Sequence, residues 1–335
     1  MSATFRNIVL GTMLLTFVVI VLGAYVRLSD AGLGCPDWPG CYGILLGVPD
    51  TSVAIEKANA EFERPVEIGK AWKEMIHRYV AGILGILIFI ISILLIRKDQ
   101  NGQRHIVSGV ALSAFLIFQA ALGMWTVTLQ LKPLVVMGHL LGGFTLFNLL
   151  AWQWLRCQKF NINLDTQIAS KYFKFSMLAI VILAIQIALG GWVSSNYAAL
   201  ACVDFPTCQR SWWPEMDFKN AFVPWRGLGV DYEFGVLDHP ARVAIHYVHR
   251  IGAVAVLIVL GFYLHSLAKN SGANKNLRVV ALIATGLLII QLILGFSNVY
   301  FKLPLTLAVL HNAVALLLLF SIVSTSYMLK SSHNN

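Results

Sequence analysis

Charge is scarce in this chain, and acid is scarcer still. Only 12% of its 335 residues are charged, with 16 Asp and Glu against 25 Lys and Arg. The charges leave long stretches with almost none, each long enough to cross a bilayer as a helix. With 58% of residues hydrophobic and arranged in blocks, a soluble globular domain is excluded. In a soluble chain the net charge of +9 would point to nucleic acid. Here it marks topology-setting loops on the cytoplasmic side, and no nucleic-acid partner is expected. A cleavage site of the A-x-A type is also missing after the first apolar run. The basic region before that run is Arg6 alone, so the run reads as a retained helix rather than a signal peptide.

What is present is an all-α integral membrane protein. Eight spans are predicted, over about 7–27, 72–96, 105–128, 133–156, 172–195, 241–267, 277–299 and 305–328. Three short loops are basic. One carries Arg97, Lys98 and Arg104 against Asp99; the next carries Arg156, Lys159, Lys171 and Lys174 against Asp165; the third carries Lys269, Lys275 and Arg278 with no acid. These loops belong inside and the acidic long loops, 28–71 and 196–240, outside, which puts both termini in the cytoplasm.

The chain repeats itself. Leu22-Gly-Ala-Tyr-Val26 returns as Leu189-Gly-Gly-Trp-Val193, and Cys35 and Cys41 return as Cys202 and Cys208, both at an offset of 167. Gln119-Ala-Ala-Leu-Gly123 returns as Gln291-Leu-Ile-Leu-Gly295 at an offset of 172. Pro133 has its counterpart in Pro304. The expected architecture is therefore two tandem, pseudo-symmetric four-helix bundles. They cover 1–156 and 172–335, with a basic linker at 157–171. An even number of spans per half makes the repeat parallel, about an axis along the membrane normal.

Four of the five cysteines fall in the two outer loops, on the oxidising side. Cys35-Pro-Asp-Trp-Pro-Gly-Cys41 is a tight turn sequence. A Cys35–Cys41 disulfide, and a Cys202–Cys208 one, is favoured over half of a metal site, because no outward-facing histidine is near. Cys157 is expected as a lone thiol. Residues 52–70 have helical periodicity with mixed charge and read as a surface helix; Trp212, Trp213 and Trp225 read as interfacial anchors.

The chemistry lies in the histidines. Glu74-Met-Ile-His77-Arg78 and His246-Tyr-Val-His249-Arg250 stand 172 residues apart. Each is followed, 62 residues after its second-last member, by another intramembrane histidine, His139 and His311. All four histidines sit roughly 8–12 Å below the outer interface at the helical rise per residue. Two imidazoles from two helices, twice over, form an axial ligand set for two hemes. The competing role is helix-to-helix hydrogen bonding. Gly138, Gly142 and Gly143 leave room for a flat macrocycle in the first half, and Ala313 and Ala315 in the second. Arg78 and Arg250, with Arg27 and Arg242, are candidates for heme propionates or snorkelling cations. His105, His239, His265 and His333 are expected to carry no chemistry.

The halves differ at one position. Glu74, one turn before His77, is the acid placed inside a predicted span, and its counterpart is His246. An intramembrane acid is costly and reads as a proton-handling group; an interfacial Glu paired with Lys73 or Arg78 is the plainer role. A reactive site in the first half and an electron-carrying heme b in the second is the simplest division.

Taken together, Glu74–Arg78, the paired histidines, the Cys35–Cys41 loop and the two four-helix halves resemble the heme A synthase family, in its bacterial branch with outer-loop cysteine pairs. The resemblance covers essentially the whole chain. It implies an oxidoreductase of the bacterial cytoplasmic (inner) membrane that oxidises a ring methyl of heme O to a formyl, for cytochrome oxidase assembly. It places heme O between His77 and His139 with Glu74 near the methyl, and heme b between His249 and His311. It implies heme O synthase and cytochrome oxidase as pathway partners, and lipid around the spans; it leaves open the electron donor and whether the protein forms a homo-oligomer. The rival readings are a b-type cytochrome in quinol-linked electron transfer and a heme carrier or exporter.

Overall fold

A computed structural model describes residues 2–97, 102–158, 160, 164–272 and 274–331. Lys98, Asp99, Lys159 and His333 lie outside the described residues. Ten helices occur among the described residues: α1 (Ala3–Leu28), α2 (Ser52–Glu61), α3 (Ile68–Ile96), α4 (Ile106–Thr128), α5 (Pro133–Arg156), α6 (Thr166–Ser195), α7 (Phe218–Ala221), α8 (His239–Asn270), α9 (Lys275–Tyr300) and α10 (Leu305–Ser331). All but α2 and α7 are long and apolar enough to cross a membrane, which makes the chain a multi-pass, all-α membrane protein of eight spans.

The helix ends follow local chemistry. Ser2 caps α1 by accepting the Phe5 N–H at 3.1 Å, and Thr51 caps α2 through Ala54. Helix α6 begins at Thr166, inside the stretch read as a linker, because Asp165 accepts the N–H groups of Gln167 and Ile168. Pro133 opens α5 at a position where its missing N–H costs nothing. Within the apolar helices, hydroxyls bond back to carbonyls one turn earlier, as Thr12 to Ile8, Thr16 to Thr12 and Ser92 to Ile88. That satisfies them without water, which a bilayer interior does not supply. Many large apolar side chains stay exposed, among them Ile86, Val107, Ile117 and Ile258. Such a surface suits hydrocarbon.

The chain forms two compact units. The first contains 1–147 with 194–197 and 222–238; the second contains 148–193, 198–221 and 239–335. In the first unit α3 packs on α1 and α4; in the second, α9 packs on α8 and α10. The segment 222–238 is a part of the first unit that follows α7 in sequence. Tyr232, 2% exposed, sits with Leu33, Val127 and Leu131, and its N–H reaches the Gln130 carbonyl. Arg64 binds Asp231 at 2.5 Å and also Glu233. Lys132 donates to the Gly227 carbonyl and lies 3.3 Å from the Trp225 ring centre. Trp225 is thus a cation partner in this unit, whereas Trp212 and Trp213 are 70% and 71% exposed.

Candidate functional site

Both cysteine pairs are disulfides, Cys35–Cys41 and Cys202–Cys208. Cys157 is in neither; its thiol lies 3.3 Å from the Gln153 carbonyl. The two disulfide loops share one construction. Asp37 accepts the N–H groups of Tyr42 and Gly43, and Asp204 those of Gln209 and Arg210. Cys41 exchanges backbone bonds with Ile44, and Cys208 with Ser211. The Asp204 carboxyl is held down at about 2, first by the Thr207 hydroxyl, then by the backbone N–H groups of Arg210 and Gln209.

The two sequence motifs bind these loops. Glu74 is 4% exposed and accepts the Cys35 N–H at 2.9 Å and an Arg78 N–H at 2.5 Å. Arg78 also donates to the carbonyls of Asp37, Pro39 and Gly40. In the second half Arg250 donates to the carbonyls of Cys202, Asp204 and Thr207. His246, also 4% exposed, lies 3.3 Å from both the Cys202 N–H and the Arg250 Nε. Sequence reasoning did not foresee that the first and last residues of each motif hold a disulfide loop. Arg27, by contrast, donates to the Ser194 carbonyl and the Tyr197 hydroxyl.

The four predicted ligand histidines lie on α3, α5, α8 and α10, and each lies against a glycine of the membrane-spanning helix before it, on α1, α4, α6 and α9. A Cβ on Gly23 would stand 2.9 Å from His77 Nε2. On Gly123, Gly190 and Gly295 it would stand 3.1, 3.2 and 3.2 Å from Cε1 of His139, His249 and His311. Only a residue without a side chain admits the ring this closely. His77 and His139 are within electrostatic range of each other, as are His249 and His311. All four keep intermediate exposure, while Glu74 and His246 beside them are buried. The signal was in the sequence: Val19-Ile-Val-Leu-Gly23, Gln119-Ala-Ala-Leu-Gly123, Gln186-Ile-Ala-Leu-Gly190 and Gln291-Leu-Ile-Leu-Gly295 are one motif occurring four times. The repeat unit is therefore a helix pair, glycine on the first helix and histidine on the second.

This donor set fits heme. Paired imidazoles are a standard axial set, and the ring–glycine contacts fix each imidazole plane. Nδ1 of His311 is buried with no hydrogen-bond partner, as a nitrogen awaiting a ligand would be. Among the described residues no group of three or more His, Cys, Asp or Glu could hold a bare metal ion. A two-histidine iron site needs no such group, because the porphyrin supplies the equatorial nitrogens.

The sequence profile of the COX15-CtaA family, described as "Cytochrome oxidase assembly protein", matches residues 6–323. The chain belongs to this family. It is 44% identical to a protein of Shewanella oneidensis named heme A synthase, over 95% of this chain and 94% of that one. Proteins with the same name from Halalkalibacterium halodurans and Rhizorhabdus wittichii are 26% and 27% identical. They match over 92% and 95% of this chain and 92% and 91% of their own lengths. Family membership extends over both histidine pairs and both disulfide loops.

Proposed function

We propose that the chain is a heme A synthase, an oxidoreductase of the bacterial inner membrane with both termini cytoplasmic. It oxidises one ring methyl of heme O to a formyl group, and the heme A formed serves cytochrome oxidase. The observation that carries this reading is the pair of glycine-backed histidine sites, in a chain whose relative at 44% identity bears that name. Heme O is the substrate of the first-half site, between His77 and His139. Heme b is the resident cofactor of the second, between His249 and His311; when bound it supplies one-electron transfer.

The chain's own groups set the stage for that oxidation. His77 and His139 are the residues that would hold the substrate. Glu74, one turn from His77 and enclosed by protein, is positioned to take up protons released from the methyl as it is oxidised. Its bond to the Cys35 N–H ties the Cys35–Cys41 loop to the helix that carries His77. Arg78 and Arg250, next to their histidines, are the cations that would meet the propionates of a heme bound at each pair. The loop carbonyls hold each guanidinium there.

Heme extraction and mass analysis of the purified protein, made in cells that also supply heme O, test the reading. Heme A or its hydroxymethyl precursor beside heme b is the expected result. Heme b alone, with heme O available, would overturn it in favour of a quinol-linked cytochrome. Glu74→Gln should retain both hemes and stop at heme O or the hydroxymethyl stage. Full conversion by that variant would remove Glu74 from the chemistry.

A further inference from the structure

Helices α3 and α8 begin with cations at the same positions but treat their charge in opposite ways. At the offset of 172, Glu67, Lys70, Glu74 and Arg78 correspond to His239, Arg242, His246 and Arg250. In the first half each of these cations meets an acid. Lys70 Nζ stands 2.8 Å from Glu67, and Arg78 is 2.5 Å from Glu74. In the second half both acids are replaced by histidine, formally neutral at pH 7. Arg250 is held by the carbonyls of Cys202, Asp204 and Thr207 and by His246, with no carboxylate among these partners. Arg242 has no ion pair or hydrogen bond among the described residues, and its Nε is buried without a partner.

The other charges nearby leave this contrast standing. Asp204 acts on Arg250 electrostatically. Its carboxylate is bonded into its own turn, as that of Asp37 is at the same place in the first loop, so the two cancel in the comparison. Arg27, at the end of α1, has Asp30 at 4.0 Å. Lys73 has no acid partner among the described residues; it lies 5.2 Å from the Tyr25 ring centre, and its counterpart is Ile245. The start of α3 thus offers an anion one cation without an acid, Lys73, and the start of α8 offers two. A guanidinium nitrogen shut away from water with no acceptor is costly unless an anion completes it. Arg242 is seven residues before His249, hence on the same helix face and about 10 Å nearer the outer end. Arg250 is next to His249. A heme brings two propionates, one for each.

We infer that Arg242 and Arg250 are the propionate-binding pair that makes the second half a permanent heme site. Glu67 and Glu74, by engaging Lys70 and Arg78, leave the first half a weaker grip on its heme. A site that takes in a substrate and gives up a product needs the weaker grip; a site for a resident cofactor needs the stronger. This rests on the two-heme reading above, which it deepens by naming the residues that separate an exchanging site from a permanent one.

The test uses the full-length protein loaded in cells that supply heme O and heme b, with excess apomyoglobin as heme acceptor. Loss of each heme type is followed by extraction, and the midpoint potential of heme b by redox titration. Arg242→Gln should speed loss of heme b by about tenfold, the scale of one charge-assisted hydrogen bond. It should also lower the potential of heme b, because a nearby cation favours the ferrous form. Arg242→Lys should restore the potential. Glu67→Gln frees Lys70 and should slow release of the first-half heme by roughly threefold, the scale of an exposed ion pair. Faster loss of heme b at an unchanged potential would reduce Arg242 to a packing role and overturn the inference, as would unchanged release in Arg242→Gln with both hemes bound. Should Arg242→Gln fail to fold, Glu67→Gln decides, and unchanged release of the first-half heme overturns it. A wild-type protein that binds no heme in either half would instead overturn the two-heme reading itself.

Discussion

Glu74 and His246 occupy the same place in the two halves, and they do unequal work there. Each faces a backbone N–H of a disulfide loop and an arginine one turn on. A carboxylate accepts from both at once, and the bonds of Glu74 are 2.9 and 2.5 Å long. A neutral imidazole has a single acceptor nitrogen, so His246 can satisfy only one of its two donors, both at 3.3 Å. The first loop is clamped by charge and the second by a neutral ring. Both disulfides are fully buried, the first packed with Tyr42, Val48, Ala58 and Met75 and the second with Ala201 and Val243. A repeat can thus preserve a backbone construction while varying the strength with which it is held. The stronger clamp is on the helix that carries His77.

The comparison can be broken most severely at the clamp itself. Glu74→Ala leaves Arg78 without its carboxylate and should cost about 3–5 kcal/mol, the usual penalty for orphaning one member of a buried pair. His246→Ala removes one neutral acceptor and should cost about 1–3 kcal/mol. Thermal unfolding of the detergent-solubilised protein measures both, and equal losses would contradict the unequal clamps. Glu74→His should fall between them.

A second, smaller difference sharpens the comparison. Gly34 precedes the first loop, and a Cβ there would stand 2.6 Å from the Lys70 carbonyl carbon; the equivalent residue in the second half is Ala201. Gly34→Ala forces backbone apart and should cost about 1–3 kcal/mol. Ala201→Gly only loosens the unfolded chain and should cost about 0.4–1 kcal/mol. The same unfolding measurement ranks the two, and a tolerated Gly34→Ala would mean the first loop lies no closer to its helix than the second.

The smallest effect is expected at Asp204. Its carboxyl is depressed to about 2 in the folded protein, against about 4 in an unfolded chain. Its contribution is therefore complete above pH 4 and is lost as pH falls through 2. Asp204→Asn should lower the unfolding temperature slightly at pH 7, by an amount that shrinks as the pH is brought from 4 towards 2. A penalty that stayed constant over that range would show that the charge on Asp204 is not what closes the turn.

Much of this was legible in one dimension. The spans could be read because a bilayer demands some twenty apolar residues in a row, and α5 begins at the residue predicted, Pro133. The early start of α6 was missed because its cap, Asp165, lies among basic residues that read as a loop. The disulfides followed from spacing and side of the membrane. The histidines stood out because four ionisable groups deep in apolar sequence need a reason. The fourfold Leu-Gly motif was only half seen, because Gln186 and Val19 do not match each other and so hid the common position.

The sequence by itself determined that this is an eight-span helical membrane protein, repeated, with two pairs of intramembrane histidines and two disulfide loops. These are consequences of composition and spacing, which local physics reads directly. Only the tertiary structure decided which groups meet. It put Glu74 and Arg78 on the disulfide loop, set each of the four paired histidines on a glycine of the preceding membrane-spanning helix, placed a glutamine behind three rings and not the fourth, and folded 222–238 into the first unit. Those pairings join residues far apart in the chain, and they are fixed by side-chain shape and by the need to partner every buried polar group, which no local pattern encodes.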